Sequence, residues 1–311
     1  MTKKFDAKNG RFILVTRKTR LEELVERFNT WPQAKFYLEH NNTNPADYVA
    51  EHDQYKAEVL KVQTVLQKQG RFQLLERSYL PSYQFGDNDL VVVIGQDGLV
   101  ANTLKYLQGQ PVVGINPDPA RWDGPLLRFE AAQIADVIKN VTNNTADSQQ
   151  ITFAQAQTND GQTLQAVNDL FIGPQSHTSA RYTLVHGTQR EEQSSSGIIV
   201  STGFGSTGWL QSILAGARGV YPDSETHVLS NGFDWNAEQL QFAVREPFPS
   251  LTTGTQLVFG TVQKNDQLTI ESRMPERGVI FSDGMEQDFL TFNAGTVATI
   301  SVSPIKGRLV I

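Results

Sequence analysis

Val91-Val92-Val93-Ile94-Gly95-Gln96-Asp97-Gly98-Leu99 is the stretch on which the reading of this chain turns. Four β-branched apolar residues make a buried strand. They stop at a Gly-x-Asp-Gly turn, and residues 101–107 then read as a helix. A buried strand that ends in glycines and opens a helix puts the turn at the carboxyl edge of a parallel sheet. Open α/β folds bind ligands at that edge. The glycines permit close backbone approach, and a helix N-terminus favours anions. Asp97 fixes one carboxylate in the middle. The pattern suggests phosphate handling beside a positioned acid/base group. Asp97 reads equally well as the N-cap of the helix.

Working outward from this turn, strands alternate with helices. Residues 11–16 (RFILVT) form a strand candidate, and Leu21, Leu24, Val25 and Phe28 lie on one helical face. Residues 30–44 show no clear period. Pro45-Ala46-Asp47 opens another helix, with Tyr48, Val59, Leu60, Val62, Val65 and Leu66 as its apolar stripe. Residues 72–76, 90–94 and 111–115 complete the strands. The order β-α-α-β-β-α-β predicts a Rossmann-like α/β domain with a mostly parallel sheet over residues 1–140.

The polar, turn-rich run 139–150 (KNVTNNTADSQQ) reads as a domain boundary. Beyond it, closely spaced strand candidates cover 151–157, 164–171, 181–185, 197–200, 240–244, 256–262, 267–272, 279–282 and 297–302. Glycine, asparagine, aspartate or proline turns separate most of them, which predicts a β-sandwich-type domain over 141–311. Residues 208–215 and 236–240 are the helix candidates there. Charged runs such as Arg190-Glu191-Glu192 read as solvated surface.

Bulk properties narrow the function classes. The chain has 311 residues, enough for two domains, and ordinary hydrophobic and charged contents of 39% and 19%. A net charge of −6 argues against general nucleic-acid binding. With no cysteine, disulfides, thiolate nucleophiles and cysteine metal sites are excluded. Met1-Thr2-Lys3-Lys4-Phe5-Asp6 carries no apolar secretory segment, and no run approaches the ~20 apolar residues that span a bilayer. The expectation is a cytoplasmic protein without membrane partners. His40, His52, His177, His186 and His227 show no metal-ligand spacing.

Three further constellations carry chemistry. Asn168-Asp169 interrupts an otherwise apolar strand, so the pair must be hydrogen-bonded in a bulge or turn or sit at a site. In Ser201-Thr202-Gly203-Phe204-Gly205-Ser206-Thr207-Gly208-Trp209 an apolar strand runs into glycines, hydroxyls and aromatics, a combination suited to phosphate or ribose. Ser206 or Thr207 can also cap the helix that follows. Asp283-Gly284 after a strand reads by itself as a hairpin turn.

In this order, the four constellations resemble the signatures of the NAD kinase family, within the wider group of NAD, diacylglycerol and related kinases. Gly95 to Leu99 matches the family's Gly-Gly-Asp-Gly-Thr, Asn168-Asp169 its Asn-Glu or Asn-Asp pair, Ser201 to Thr207 its Ser-Thr-x-x-Gly-Ser-Thr loop, and Asp283-Gly284 its last Asp-Gly. Residues 114–119 (GINPDP), 180–182 (ARY), 194–197 (SSSG) and 244–248 (VREPF) resemble the mitochondrial-type branch. The resemblance spans roughly residues 90–311.

The resemblance implies ATP-dependent phosphorylation of the 2′-hydroxyl on the adenosine ribose of NAD, in a cleft between a donor domain and a β-rich acceptor and oligomerisation domain. Asp97 is then the catalytic base and aligner, while Gly95 and Gly98 let amides approach the phosphates. Asn168 and Asp169 hold the acceptor ribose. Ser201, Thr202, Gly205, Ser206 and Thr207 line the nucleotide pocket, and Asp283 approaches it. Mg²⁺ accompanies ATP, and the implied assembly is a homo-oligomer, a dimer or tetramer. Five positions depart from the pattern: Gln96 for glycine, Leu99 for threonine, Phe204 for threonine, and Gly208-Trp209 for Ala-Tyr. They imply altered donor use, another hydroxyl acceptor such as a sugar or lipid, or a weakened NAD(P)-binding protein.

Overall fold

The computed structural model describes residues 5–6, 9–122, 124–220, 231–285 and 288–311. The chain divides into two compact units, Met1–Gln149 with Arg308–Ile311, and Gln150–Gly307.

In the first unit the elements run β1 (Arg11–Thr16), α1 (Arg20–Phe28), α2 (Trp31–His40), α3 (Pro45–Gln69), β2 (Arg71–Glu76), β3 (Asp89–Ile94), α4 (Asp97–Leu104), β4 (Pro111–Asn116), β5 (Phe129–Glu130) and α5 (Ile134–Thr142). The strands form a parallel sheet in the order β2-β1-β3-β4, with β5 and Arg308–Leu309 also parallel to β4. Every residue of β3 and β4 is buried, which is why these strands read as unbroken apolar runs. Phe12, Leu14, Leu90, Val92 and Ile94 pack with Tyr55, Val62 and Leu66 of α3 and with Ile134, Val137, Ile138 and Val141 of α5.

Three elements differ from the sequence reading. Residues 30–44, without a visible period, contain α2, because that helix buries only Ala34 and Leu38 and owes its start to the Thr30 cap. α4 begins at Asp97, four residues before the apolar pattern does. The units part within the polar run 139–150, between Gln149 and Gln150, but the run is structured: its first residues finish α5, and Ser148 already begins a strand.

The second unit contains β6 (Ser148–Thr158), β7 (Thr163–Ala166), β8 (Asp169–Pro174), β9 (Ala180–His186), β10 (Gln189–Ser195), β11 (Ile198–Ser201), α6 (Trp209–Val220), β12 (Gln239–Val244), β13 (Phe259–Gln263), β14 (Leu268–Ser272), β15 (Gly278–Ser282), β16 (Phe289–Thr291) and β17 (Val297–Val310). Its first sheet has the order β10-β9-β14-β17-β6-β7 and its second β13-β12-β11-β8-β15-β16. The inner faces share one core, with Ala154, Tyr182 and Ile270 from the first sheet and Ile172, Val200 and Phe242 from the second. This is the predicted sandwich. On the outer face of the second sheet, Leu210 and Leu214 of α6 pack on Ala243.

The stretch 164–171, read as one strand, breaks at Val167-Asn168. The chain leaves the first sheet with β7 and enters the second with β8. Residues 236–240 are not helical, since Gln239 opens β12. The charged run at 190–192 lies within β10, a sheet-edge strand whose polarity hid it from the sequence reading.

Candidate functional site

Two clusters hold the predicted site residues, one in each unit. In the first unit, Gln96 rather than Asp97 occupies the N-cap position of α4, with extended φ/ψ of −120° and 161° and no side-chain cap. Asp97 is the first helical residue. Its Oδ1 accepts a 2.8 Å hydrogen bond from the backbone N–H of Leu126. Two glycines make that approach possible. A Cβ on Gly114 would fall 2.0 Å from the Leu126 carbonyl oxygen, and one on Gly124 would fall 3.0 Å from Asp97 Oδ1. A Cβ on Gly95 would meet the Leu99 side chain at 3.0 Å, so Leu99 folds back onto the turn, whereas Gly98 faces open space.

The sequence reading missed the frame around this turn. Tyr55 of α3 is buried, and its hydroxyl accepts from the Arg17 N–H at 2.9 Å and donates to the Ile94 carbonyl at 3.1 Å. One phenol thereby pins the ends of β1 and β3 together, and burial pushes it up to about 12. The Arg17 guanidinium lies over the same ring, 5.1 Å from its centroid, and donates to Glu51 and to the Lys18 carbonyl. Arg17 Nε is buried without a partner. Glu51 also receives Arg20 Nε, and Arg20 and Arg121 both donate to Asp47, holding that carboxyl down to about 2. No motif marks these residues, because their partners come from β1, α3 and the segment after β4.

In the second unit, Asp283 organises the sheet crossover. It sits at φ 55°, just past β15. Its Oδ1 accepts the N–H groups of Val167, Asn168 and Asp169 at 3.1, 2.6 and 3.4 Å, and its Oδ2 accepts Val167 N–H at 3.1 Å. Its own N–H donates to the Asp169 carbonyl. The Asp283 carboxylate, expected from the resemblance to approach the nucleotide, is turned onto this backbone.

The hydroxyl loop is engaged in the same way. Thr202 Oγ1 donates to the Val167 carbonyl at 2.5 Å, Ser206 Oγ donates to Gly203 and accepts from Phe233, and Ser201 Oγ donates to the Thr202 carbonyl. A Cβ on Gly205 would lie 2.1 Å from the Asn168 carbonyl oxygen, so this glycine is what lets the loop touch the crossover. Ser206 and Thr207 do not cap α6; the Gly208 carbonyl accepts the first helical bond, from Ser212. Thr207 is exposed. Phe204 packs edge-on against Trp235.

Asp169 differs from its neighbours. It is 7% exposed, and among the described residues its carboxylate receives no hydrogen bond. Burial first, then the Asp283 charge, pushes it up to about 7. Two residues along β8, Phe171 stacks parallel to Trp209 at 5.7 Å, and the Arg245 guanidinium lies 5.4 Å from the Trp209 ring. These side chains line a cavity of about 320 Å³ with Phe281, Phe289 and His177. The described residues gather no three histidines or acidic groups into a metal site, and His227 lies outside them, as do Met1 to Lys4. No described helix is long and apolar enough to cross a membrane.

With this geometry in hand, the fold compares with two solved structures. Yeast NADH kinase complexed with NADH aligns at a TM-score of 0.58 and 13% identity, covering 96% of this chain and 83% of that one. An NAD kinase from Archaeoglobus fulgidus in complex with ATP aligns at 0.54 and 16%, covering 96% and 92%. The chain has an NAD kinase-like fold. No protein family matches the sequence, and no curated protein does.

Proposed function

We propose that the chain is an NAD kinase-like phosphotransferase that moves a phosphoryl group from ATP to the 2′-hydroxyl of the adenosine ribose of NAD. The observation that carries this reading is the Asp97 carboxylate, fixed through Oδ1 at the start of α4 on the carboxyl edge of a parallel sheet. Phosphoryl transfer needs little covalent help from protein. It needs alignment, charge neutralisation and a group that takes the hydroxyl proton.

In this reading Asp97 accepts the proton of the attacking hydroxyl. The Gly98 amide in the first turn of α4 receives a phosphate oxygen, Gly95 lets the chain come close, and the nearby Arg17 adds positive charge. Mg²⁺ arrives with ATP, bound chiefly by its phosphates, and neutralises their charge. Asn168 and Asp169 hold the acceptor, since a carboxylate accepts two ribose hydroxyls. Trp209 and Phe171 offer flat apolar surface to a base. The first unit serves the donor and the second the acceptor and oligomer contacts, and the setting is cytoplasmic.

One observation favours a second reading, a nucleotide-binding protein with weakened catalysis. Leu99 fills the glycine turn where the family pattern has a hydroxyl, and the Thr202 and Ser206 hydroxyls are already bonded to backbone. Turnover of NAD with Mg²⁺ and ATP, followed as NADP formed, separates the two. Asp97→Asn should keep the fold and lose about 10²- to 10⁴-fold in rate. NAD binding without turnover by any of several phosphoryl donors supports the second reading, and an Asp97→Asn variant as active as the parent removes Asp97 from its role.

A further inference from the structure

Registers on the second sheet align Asp169 of β8 with Ser201 of β11, Ser201 with Gln241 of β12, and Gln241 with Thr261 of β13. Paired residues of antiparallel strands point to the same face. Leu170, Val200, Leu240 and Phe242 face the sandwich core, so Asp169, Ser201 and Gln241 lie on the outer face. The row is buried: Asp169 is 7%, Ser201 0% and Gln241 6% exposed.

The row also has unfilled acceptor positions. Gln241 Oε1 is buried with no hydrogen-bond partner. The Asp169 carboxylate receives no hydrogen bond among the described residues, and Ser201 has committed its proton to the Thr202 carbonyl, leaving only lone pairs. The unit's other unpartnered buried side-chain atoms, on Thr152, Gln165, Thr183 and Gln193, belong to strands of the first sheet. The Gln241 oxygen and the Asp169 carboxyl are thus two buried groups on neighbouring strands with unfilled acceptor positions, which is costly in a folded protein unless something supplies O–H or N–H groups.

We propose that Gln241 is a specificity-determining residue of the acceptor site, and that with Asp169 and Ser201 it binds the hydroxyl groups of a ribose-bearing ligand. This rests on the reading that the Asp169 crossover holds the acceptor. Neighbouring strands lie about 4.8 Å apart, so the row spans roughly 10 Å from Asp169 to Gln241. That span suits a nucleoside with donors at two points rather than a single alcohol. Gln241 belongs to none of the sequence constellations, because its meaning comes only from strand register.

The test is calorimetric titration of NAD at pH 8 into the parent protein, Gln241→Met and Asp169→Asn, with thermal unfolding of each. Methionine keeps the length of the side chain and removes the amide. Gln241→Met should weaken NAD about tenfold while unfolding at the same or a higher temperature, because it deletes a buried unsatisfied group. Asp169→Asn should weaken NAD as well. If only Asp169→Asn weakens binding, the Gln241 proposal fails and the acceptor reading stands. If neither variant does, or the parent does not bind NAD, both fail. If Gln241→Met and Gln241→Leu unfold at lower temperature yet bind NAD with the parent's affinity, Gln241 is structural and the proposal is overturned.

Discussion

The Asp283 carboxylate accepts the Asn168 backbone N–H at 2.6 Å, across 115 positions of sequence. This contact closes the corner at which the chain passes from the first sheet of the sandwich to the second. Four amide-to-carboxylate contacts meet on this one side chain, and amides bonded to an ionised group are among the stronger pairs. Asp283→Ala should therefore destabilise the second unit by about 1–3 kcal/mol, the range for leaving buried donors unpaired. Asp283→Asn keeps one acceptor oxygen and tolerates the positive φ, so it should lose about half as much. Chemical denaturation followed by tryptophan fluorescence measures both. An alanine variant as stable as the parent would mean that the corner is held by other contacts.

The Asp169 carboxyl gives this corner a pH dependence. Desolvation, then the Asp283 charge, raises it from its ordinary 3.8 to about 7 in the folded protein. A raised carboxyl favours folding while it stays protonated. Its contribution is present in full below about pH 4 and is lost as pH rises to about 7. Above that, a desolvated charge is retained at a cost on the order of a few kcal/mol. Asp169→Asn should thus unfold at a higher temperature than the parent at pH 8, and the difference should shrink toward pH 4. A difference independent of pH would place the titration elsewhere.

Much of the first unit was legible because β1, β3 and β4 are buried on both faces and announce themselves as apolar runs. α2 was not, since it buries two residues and relies on a cap. The four signature segments supplied the candidate site residues, but the hydrogen bonds of those side chains could not be read from them. Asp283, Thr202 and Ser206 look like ligand groups in sequence, and in the fold they bond to backbone that other segments bring near. Tyr55, Glu51 and Gln241 could not be read at all. Tyr55 and Glu51 are ordinary helix residues until α3 packs on the ends of β1 and β3, and Gln241 is an ordinary strand residue until register sets it beside Ser201.

Gly205 gives a steric test of the hydroxyl loop. A methyl group there would lie 2.1 Å from the Asn168 carbonyl oxygen, a backbone atom that cannot step aside alone. Gly205→Ala should displace the loop from the crossover and break the hydrogen bonds from the Thr202 N–H and Oγ1 to the Asn168 carbonyl. Overpacking of this kind costs about 1–3 kcal/mol. NAD binding should fall with it, while Gly98→Ala, which meets only open space, should leave the unfolding temperature within about a degree of the parent's. Equal behaviour of the two variants would contradict the contact.

Glu51 balances charge beneath the Asp97 edge. Its side chain is 4% exposed and receives Arg17 Nη2 at 2.8 Å and Arg20 Nε. Burial alone would raise this carboxyl, but the hydrogen bonds from Arg17 and Arg20 bring it below its ordinary 4.5. A depressed carboxyl stabilises the fold above about pH 4.5 and loses that contribution as pH falls further. Glu51→Ala strips the partner from Arg17, whose side chain is only 12% exposed, and removing one member of a buried pair typically costs about 3–5 kcal/mol. The loss should be large at pH 7 and smaller near pH 3. Because Arg17 leans on Gly95, the variant should also raise the KM for ATP more than that for NAD, measured at a temperature where both proteins are folded. Equal changes in the two constants would mean that Arg17 serves the fold and not the donor phosphates.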